Sequence, residues 1–257
     1  MVTDLQKASL WKRISAGLFD FILIVMLAVG VAALLSWVLG YNSYHQSYME
    51  VRTRYEAQYG VDFEITQEIY NGFSKAEREA YDAACATADQ AWRTDQQAIY
   101  LSNMVANLSL LILTFSILIA VMLLEFVVPL LFKNGQTLGK KIFGVALMRN
   151  DGVKVSTLQM FIRTLLGKFT IEIMIPVYIF SMILSNSIGL IAVAILGGIL
   201  VGELLSLVIS RTNSLIHDTI AATIAVDMAT QRIFESPEER VEYVKRLHAE
   251  ETSRQEY

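Results

Sequence analysis

Cysteine is nearly absent. Cys85 is the one cysteine in 257 residues, so an intrachain disulfide and a cysteine-based zinc site are both excluded. There is no HExxH pattern, no dinucleotide fingerprint and no internal repeat. Metalloprotease, nucleotide-cofactor and solenoid readings therefore have nothing to rest on. No enzyme activity, cofactor, metal or nucleic-acid partner is expected. Charge is also sparse, at 18% of residues against 54% hydrophobic, with a mean hydropathy of +0.45. A soluble domain holds about 45–50% apolar residues, so this chain is too apolar for that class.

The apolar residues cluster in four runs, about 15–39, 104–132, 169–185 and 188–210. A membrane helix needs roughly 17–25 such residues. The first run is longer than the 7–15 residues of a signal peptide's apolar stretch and contains Asp20. It reads as a retained helix. The expectation is an all-α membrane protein with four transmembrane helices, an extracytoplasmic helical hairpin extension and a small cytoplasmic β element. Its parts are 1–40 (N-terminus and first span), 41–100 (outer hairpin), 101–132 (second span), 133–168 (cytoplasmic β-hairpin and interfacial helix), 169–210 (third and fourth spans) and 211–257 (cytoplasmic tail with a charged helix).

Orientation follows from Lys and Arg placement. Lys7, Lys12 and Arg13 precede the first span, and 133–168 carries seven basic residues against one acid, Asp151. The segment 41–100 carries five basic and ten acidic residues. Both termini are expected in the cytoplasm, in the plasma membrane, with 41–100 outside. There Tyr41, Tyr44, Tyr48, Val51, Tyr55 and Tyr59 form a helical stripe ending at Gly60. Ser74 to Glu77 is a capping box opening a second helix, with the connection at 60–73. Cys85 then packs as a small apolar residue or stands ready for an intermolecular bond.

On the cytoplasmic side, Val145–Met148, the Asn150-Asp151-Gly152 turn, and Val153 and Val155 read as a β-hairpin. Thr223–Val226 is a candidate third strand. Ser156 to Gln159 caps a helix expected to lie along the membrane, Arg163 and Lys168 near anionic head groups. Ser236-Pro237-Glu238-Glu239 opens a charged tail helix over about 237–254.

Each span holds a carboxylate: Asp20, Glu125, Glu172 and Glu203. An acid at a bilayer centre costs on the order of 2.5–3.5 kcal/mol, so four at similar depth suggest one polar cluster. Two arrangements are open. The acids line a cavity where protons compete with a cation, with Pro176 breaking the third helix to expose carbonyls. Or they form salt bridges with Arg13, Arg163 and Arg211 that pin the helices to the cytoplasmic sheet. Arg13 and Asp20 share a helix face about 10 Å apart, so Asp20 is expected to meet a cation from elsewhere, Lys140, Lys141, Arg163, Arg211 or His217. His217 and Asp218 are adjacent and should not face each other on a helix. That removes a hydrolase reading with Ser214. Gly135 to Lys141 is one residue short of a P-loop and lacks its Ser or Thr.

Lys12 to Asp20, KRISAGLFD, resembles the opening of RDD-family membrane proteins, named for one arginine and two aspartates. Gly135 to Val145, GQTLGKKIFGV, is similar to that family's GQTLGK segment, Asp151-Gly152 and Arg163-Thr164-Leu165-Leu166 to its later steps, and His217-Asp218 to its HD motif. The resemblance maps the triad to Arg13, Asp20 and Asp218 and covers 7–39 and 104–228. Ala221-Ala222-Thr223 departs from the usual Ala-Gly-Thr. The resemblance implies transport, including monovalent cation/proton exchange. The expected function is a cation/proton antiporter or small-solute transporter using Asp20, Glu125, Glu172 and Glu203. The alternative is a membrane adaptor that binds a partner through its outer hairpin or tail. Expected partners are the lipid bilayer, a monovalent cation and protons, and a second copy or other membrane protein.

Overall fold

The computed structural model describes residues 5–132, 135–174, 190–209 and 214–255. The chain is mostly helical with one small sheet. In order come α1 (Leu10–Val38), α2 (Tyr41–Tyr59), α3 (Gln67–Gly72), α4 (Lys75–Trp92) and α5 (Gln96–Val121). A π-helical stretch, Met122–Val127, links α5 to α6 (Val128–Leu131). Then follow α7 (Leu138–Ile142), β1 (Val145–Arg149), α8 (Thr157–Phe161) and a second π-helical stretch, Ile162–Glu172. The chain closes with α9 (Leu190–Ile209), α10 (Ile216–Ile220), β2 (Thr223–Asp227) and α11 (Pro237–Gln255).

Among the described residues two helices are long and apolar enough to cross a membrane, Leu10–Val38 and the continuous Gln96–Leu131. The turn expected at 185–187, Pro176 and most of the third apolar run lie outside the described residues. In α1 the burial pattern is inverted relative to a soluble helix. Asp20 and Ala16 are buried, while Leu18, Phe21, Ile22, Met26 and Val29 are exposed. An apolar face turned outward with its acid turned inward is what a lipid solvent selects.

The chain divides into two compact units, 30–115 and the remainder. In the first, Gly60 ends α2 in the left-handed conformation at φ 65°. The capping box expected at Ser74 is present, with Ser74 and Glu77 each bonding the other's backbone N–H. The connection at 60–73 contains α3, capped by Thr66. The tyrosine stripe is spent on packing. Val51, Tyr55, Ala98 and Leu101 form a core, with Tyr44, Tyr48, Tyr59 and Trp92 against it. Trp92 meets Tyr48, Tyr55 and Phe63 edge-on, with ring centroids 6.0, 5.0 and 6.1 Å apart.

The second unit is built on the sheet, and here the expected β-hairpin is corrected. β1 pairs antiparallel with β2, Met148 opposite Ile224. The Asn150-Asp151-Gly152 turn does reverse the chain, with Gly152 at φ 83° and Arg149 N–H donating to Val153 C=O at 2.8 Å. The returning arm keeps one bridge to β1, Met148 to Lys154, and passes to Phe234. Ser156 caps α8 immediately afterwards, which leaves the arm too short for a strand. β2 instead allows both faces to be buried. Val145, Leu147 and Ala225 pack with Ala8 and Met160 on one side. Ala146, Met148, Ile224 and Val226 pack on the other.

Candidate functional site

The candidate site lies wholly in the unit that holds the sheet. It begins at α7. Thr137 is the helix N-cap and accepts from Lys140 N–H at 3.3 Å. The Thr137 hydroxyl and Gly139 N–H both donate to Asp20, the latter at 2.7 Å. The slot that superficially resembles a phosphate loop is therefore filled by the chain's own carboxylate. Gly139 is required there, because a Cβ would meet Asp20 Oδ1 at 2.9 Å and collide with the Ala16 carbonyl. Lys140 Nζ stands 4.0 Å from Asp20 and 3.8 Å from Glu125. Burial lowers Lys140 from the usual lysine range to about 8, with Glu125 opposing the shift.

Glu125 lies in the first π-helical stretch and is 1% exposed. Lys168 donates to its Oε1, and Arg163 Nη1 is 3.7 Å from its Oε2. Thr164 donates to the Glu125 carbonyl at 3.0 Å. Arg163, expected near head groups, is instead buried at 2% exposure. The π-helical stretch that follows α8 turns it inward, where carboxylates offset its desolvation. Its Nε donates to Asp218 at 2.9 Å and its Nη2 to His217 Nε2 at 2.7 Å. Arg13 donates to the other Asp218 oxygen at 3.2 Å. Burial opposes ionisation of Asp218, but His217 when charged, Arg163 and Arg13 together hold it well below the usual carboxylate range.

His217 and Asp218 thus do converge, which corrects the expectation from their adjacency. They share one guanidinium although they sit side by side on α10. Close approach of α10 to the second π-helical stretch makes this possible. Gly167 faces His217, and a Cβ there would lie 2.5 Å from His217 Cβ. His217 continues the network. Its Nδ1 and backbone N–H both reach Glu172 Oε1, the N–H at 3.1 Å. A guanidinium only donates, so Nε2 is the acceptor and Nδ1 carries the ring proton. Burial, and then the charge of Arg163, push His217 below the usual imidazole range. Glu203 accepts from Ile216 N–H at 3.2 Å. One ligand atom each from Glu172, Glu203 and His217 lies within 4.8 Å of the others.

All four span carboxylates therefore enter one network: Asp20, Lys140, Glu125, Arg163, Asp218, His217, Glu172 and Glu203, with Arg13 and Lys168 bound to its side. Arg211 lies outside the described residues. Thr137, Gly139, Thr164 and Lys168 belong to the site but were not singled out as site residues. Thr137 and Gly139 sit in the GQTLGK segment, which is the one signal that marked them. Among the described residues, with His217 neutral and every carboxylate ionised, five carboxylates face four cations, and one negative charge remains.

No curated protein and no solved structure matches this chain. The sequence profile of the RDD family matches residues 7–222, which include the Arg13, Asp20 and Asp218 network. The chain belongs to the RDD family.

Proposed function

We propose that this RDD-family protein is a four-span plasma-membrane protein, with both termini cytoplasmic, that exchanges a monovalent cation or small solute against protons at Glu172 and Glu203. The observation that carries this reading is the grouping of Glu172, Glu203 and His217 within 4.8 Å. Among the described residues Glu203 has no permanent cation beside it; Ile216 N–H donates to it, and its carboxyl group shares a side-chain hydrogen bond with Glu172. Two carboxylates this close repel unless a proton or a cation lies between them, so the two compete for one place. The residual negative charge of the network is the charge that such an occupant balances. His217 supplies a fixed N–H donor to Glu172 and leaves Glu203 for the exchanging ion. Asp20, Glu125 and Asp218 carry their own partners and hold the helices in place. Four helices make a small transporter, so a homo-oligomer is part of this proposal.

The test is reconstitution in liposomes loaded with a pH-sensitive dye. Addition of Na⁺, K⁺ or Li⁺ should move protons, and Glu203→Gln and Glu172→Gln should each abolish the movement. Absence of flux, or flux that both variants keep, overturns the reading. The adaptor reading keeps one observation, the exposed stripe of Val241, Val244 and Leu247 along α11. It requires crosslinking through that stripe to retrieve a stable partner.

A further inference from the structure

The unit spanning 30–115 holds a cavity of its own, about 430 Å³ in volume. Tyr48 and Arg52 line it from α2, Phe63 and Glu64 from the connection, and Asp89 and Trp92 from α4. Small-molecule sites run about 300–1,000 Å³ and combine apolar and aromatic walls with a few placed polar groups. Helical spacing brings each pair to one face, Tyr48 with Arg52 at i, i+4 and Asp89 with Trp92 at i, i+3. The connection between them is pinned. Glu64 N–H donates to Asp62 Oδ1 at 2.8 Å, and Phe63 N–H donates to Glu56 at 3.3 Å. The Tyr81 hydroxyl donates to the Asp62 carbonyl at 2.6 Å. A wall fixed before its ligand arrives loses less entropy on binding.

The charges on this wall are already matched to one another. Arg52 donates to Glu56 at 3.0 Å and to Glu64 at 2.5 Å, and Arg93 donates to Asp89 at 2.7 Å. A bound anion would meet Glu64 and Asp89. A bound cation would meet Arg52, which already lies over the Phe63 ring, 5.9 Å from its centroid. A wholly apolar ligand would strip water from Arg52, Glu64 and Asp89 and replace none of its hydrogen bonds. A neutral ligand with hydroxyls at its edge and C–H groups on its face suits every part of the wall. Glu64 and Asp89 accept from hydroxyls, and both side chains are mostly exposed, so lone pairs are open to a ligand. The negative faces of aromatic rings favour the weakly positive C–H groups of a sugar. We infer that this cavity binds a neutral saccharide, one sugar ring packed against Phe63 and Trp92 with its hydroxyls on Glu64 and Asp89. The inference does not depend on the exchange reading.

Trp92 reports on the cavity directly. The other two tryptophans, Trp11 and Trp37, lie in α1, so Trp11→Phe with Trp37→Phe leaves one indole, the one at the site. The full chain with both changes is placed in phosphatidylcholine nanodiscs free of sugar detergents. It is titrated at millimolar concentration with tetrasaccharides of glucose, of N-acetylglucosamine and of galactose. At least one should change the Trp92 emission saturably. Asp89→Ala should raise the half-saturating concentration at least tenfold with Tm unchanged, because Asp89 is 60% exposed and its partner Arg93 is 75% exposed. Phe63→Ala should raise it as well. Glu79→Ala, on the same helix but outside the lining, should leave it as it was. No saturable response to any of the three sugars, or a half-saturation that both Asp89→Ala and Phe63→Ala keep, overturns the inference. So does tetramethylammonium chloride giving the same saturable change at the same concentration, since the site would then recognise an organic cation.

Discussion

Nη2 of Arg163 lies 2.7 Å from Nε2 of His217, and that contact fixes the imidazole as neutral with its proton on Nδ1. A second proton on the ring has no place unless the two side chains part.

Acid should therefore destabilise the protein through His217. Its pKa in the folded protein is depressed, by burial first and Arg163 second, so the unfolded chain binds more protons. The contribution is complete above the ordinary imidazole pKa of about 6.5 and is lost progressively as pH falls below it. His217→Gln offers one acceptor to Arg163 and one donor to Glu172 without titrating. Tm measured from pH 7.5 to pH 5 should fall in the wild type and fall less steeply in His217→Gln. Parallel profiles would refute the assignment.

The two aspartates that bind the N-terminal cations should differ sharply in worth. Asp218→Asn leaves Arg13 and Arg163 buried without a full countercharge, a change that costs about 3–5 kcal/mol. Lys12 pairs with Asp227 at 2.5 Å but is 43% exposed, so Lys12→Ala should cost less than about 1 kcal/mol. Denaturation in micelles measures both, and equal losses would show that the Asp218 cluster is solvated.

Glycine positions give a steric test. A methyl group at Gly139 strikes Asp20 and the α1 backbone, and one at Gly167 strikes His217 at Cβ and at Cα, 2.8 Å away. Overpacking of this kind costs roughly 1–3 kcal/mol. Gly139→Ala and Gly167→Ala should each lower Tm, while Gly17→Ala should leave it unchanged or raise it. A neutral Gly167→Ala would mean that α10 is not packed this closely.

The ring of aromatics around Trp92 should carry the other unit. Removal of a large aromatic from a core costs about 3–5 kcal/mol when fully buried, and Trp92, which is part exposed, should cost roughly half of that. Hydrogen exchange over Tyr41–Tyr59 should quicken in Trp92→Ala. Unchanged exchange would show that α2 is held by other contacts.

Local signals were legible in the sequence and remote pairings were not. Ser74, Ser156 and Ser236 mark helix starts because a cap is decided within four residues. The acids stood out because a charge in an apolar run is conspicuous whatever its partner. Thr223–Val226 was legible as a strand, but the place beside β1 was given to the arm after the turn, because strand pairing is decided by which remote segment buries both faces and the nearby turn offered a closer but poorer choice. Arg163 was read both as a head-group cation and as a partner of the buried acids; the structure bears out the second with Glu125, and the first came from reading its side-chain direction off α-helical spacing, as did the separation of His217 from Asp218. Neither residue's neighbours can be deduced without the approach of Gly167 to α10.

Glu125 and Arg163 both sit in stretches closed by wider turns than an α-helix. Such turns rotate less per residue, so every side chain beyond them is out of phase with the helix before. A one-residue deletion is therefore informative in either place. Trimming a residue from 122–127 would swing the Glu125 carboxylate toward the hydrocarbon and take one countercharge from Lys140, Arg163 and Lys168 together. The spacing of the chain, as much as its choice of residues, is what keeps the polar centre assembled.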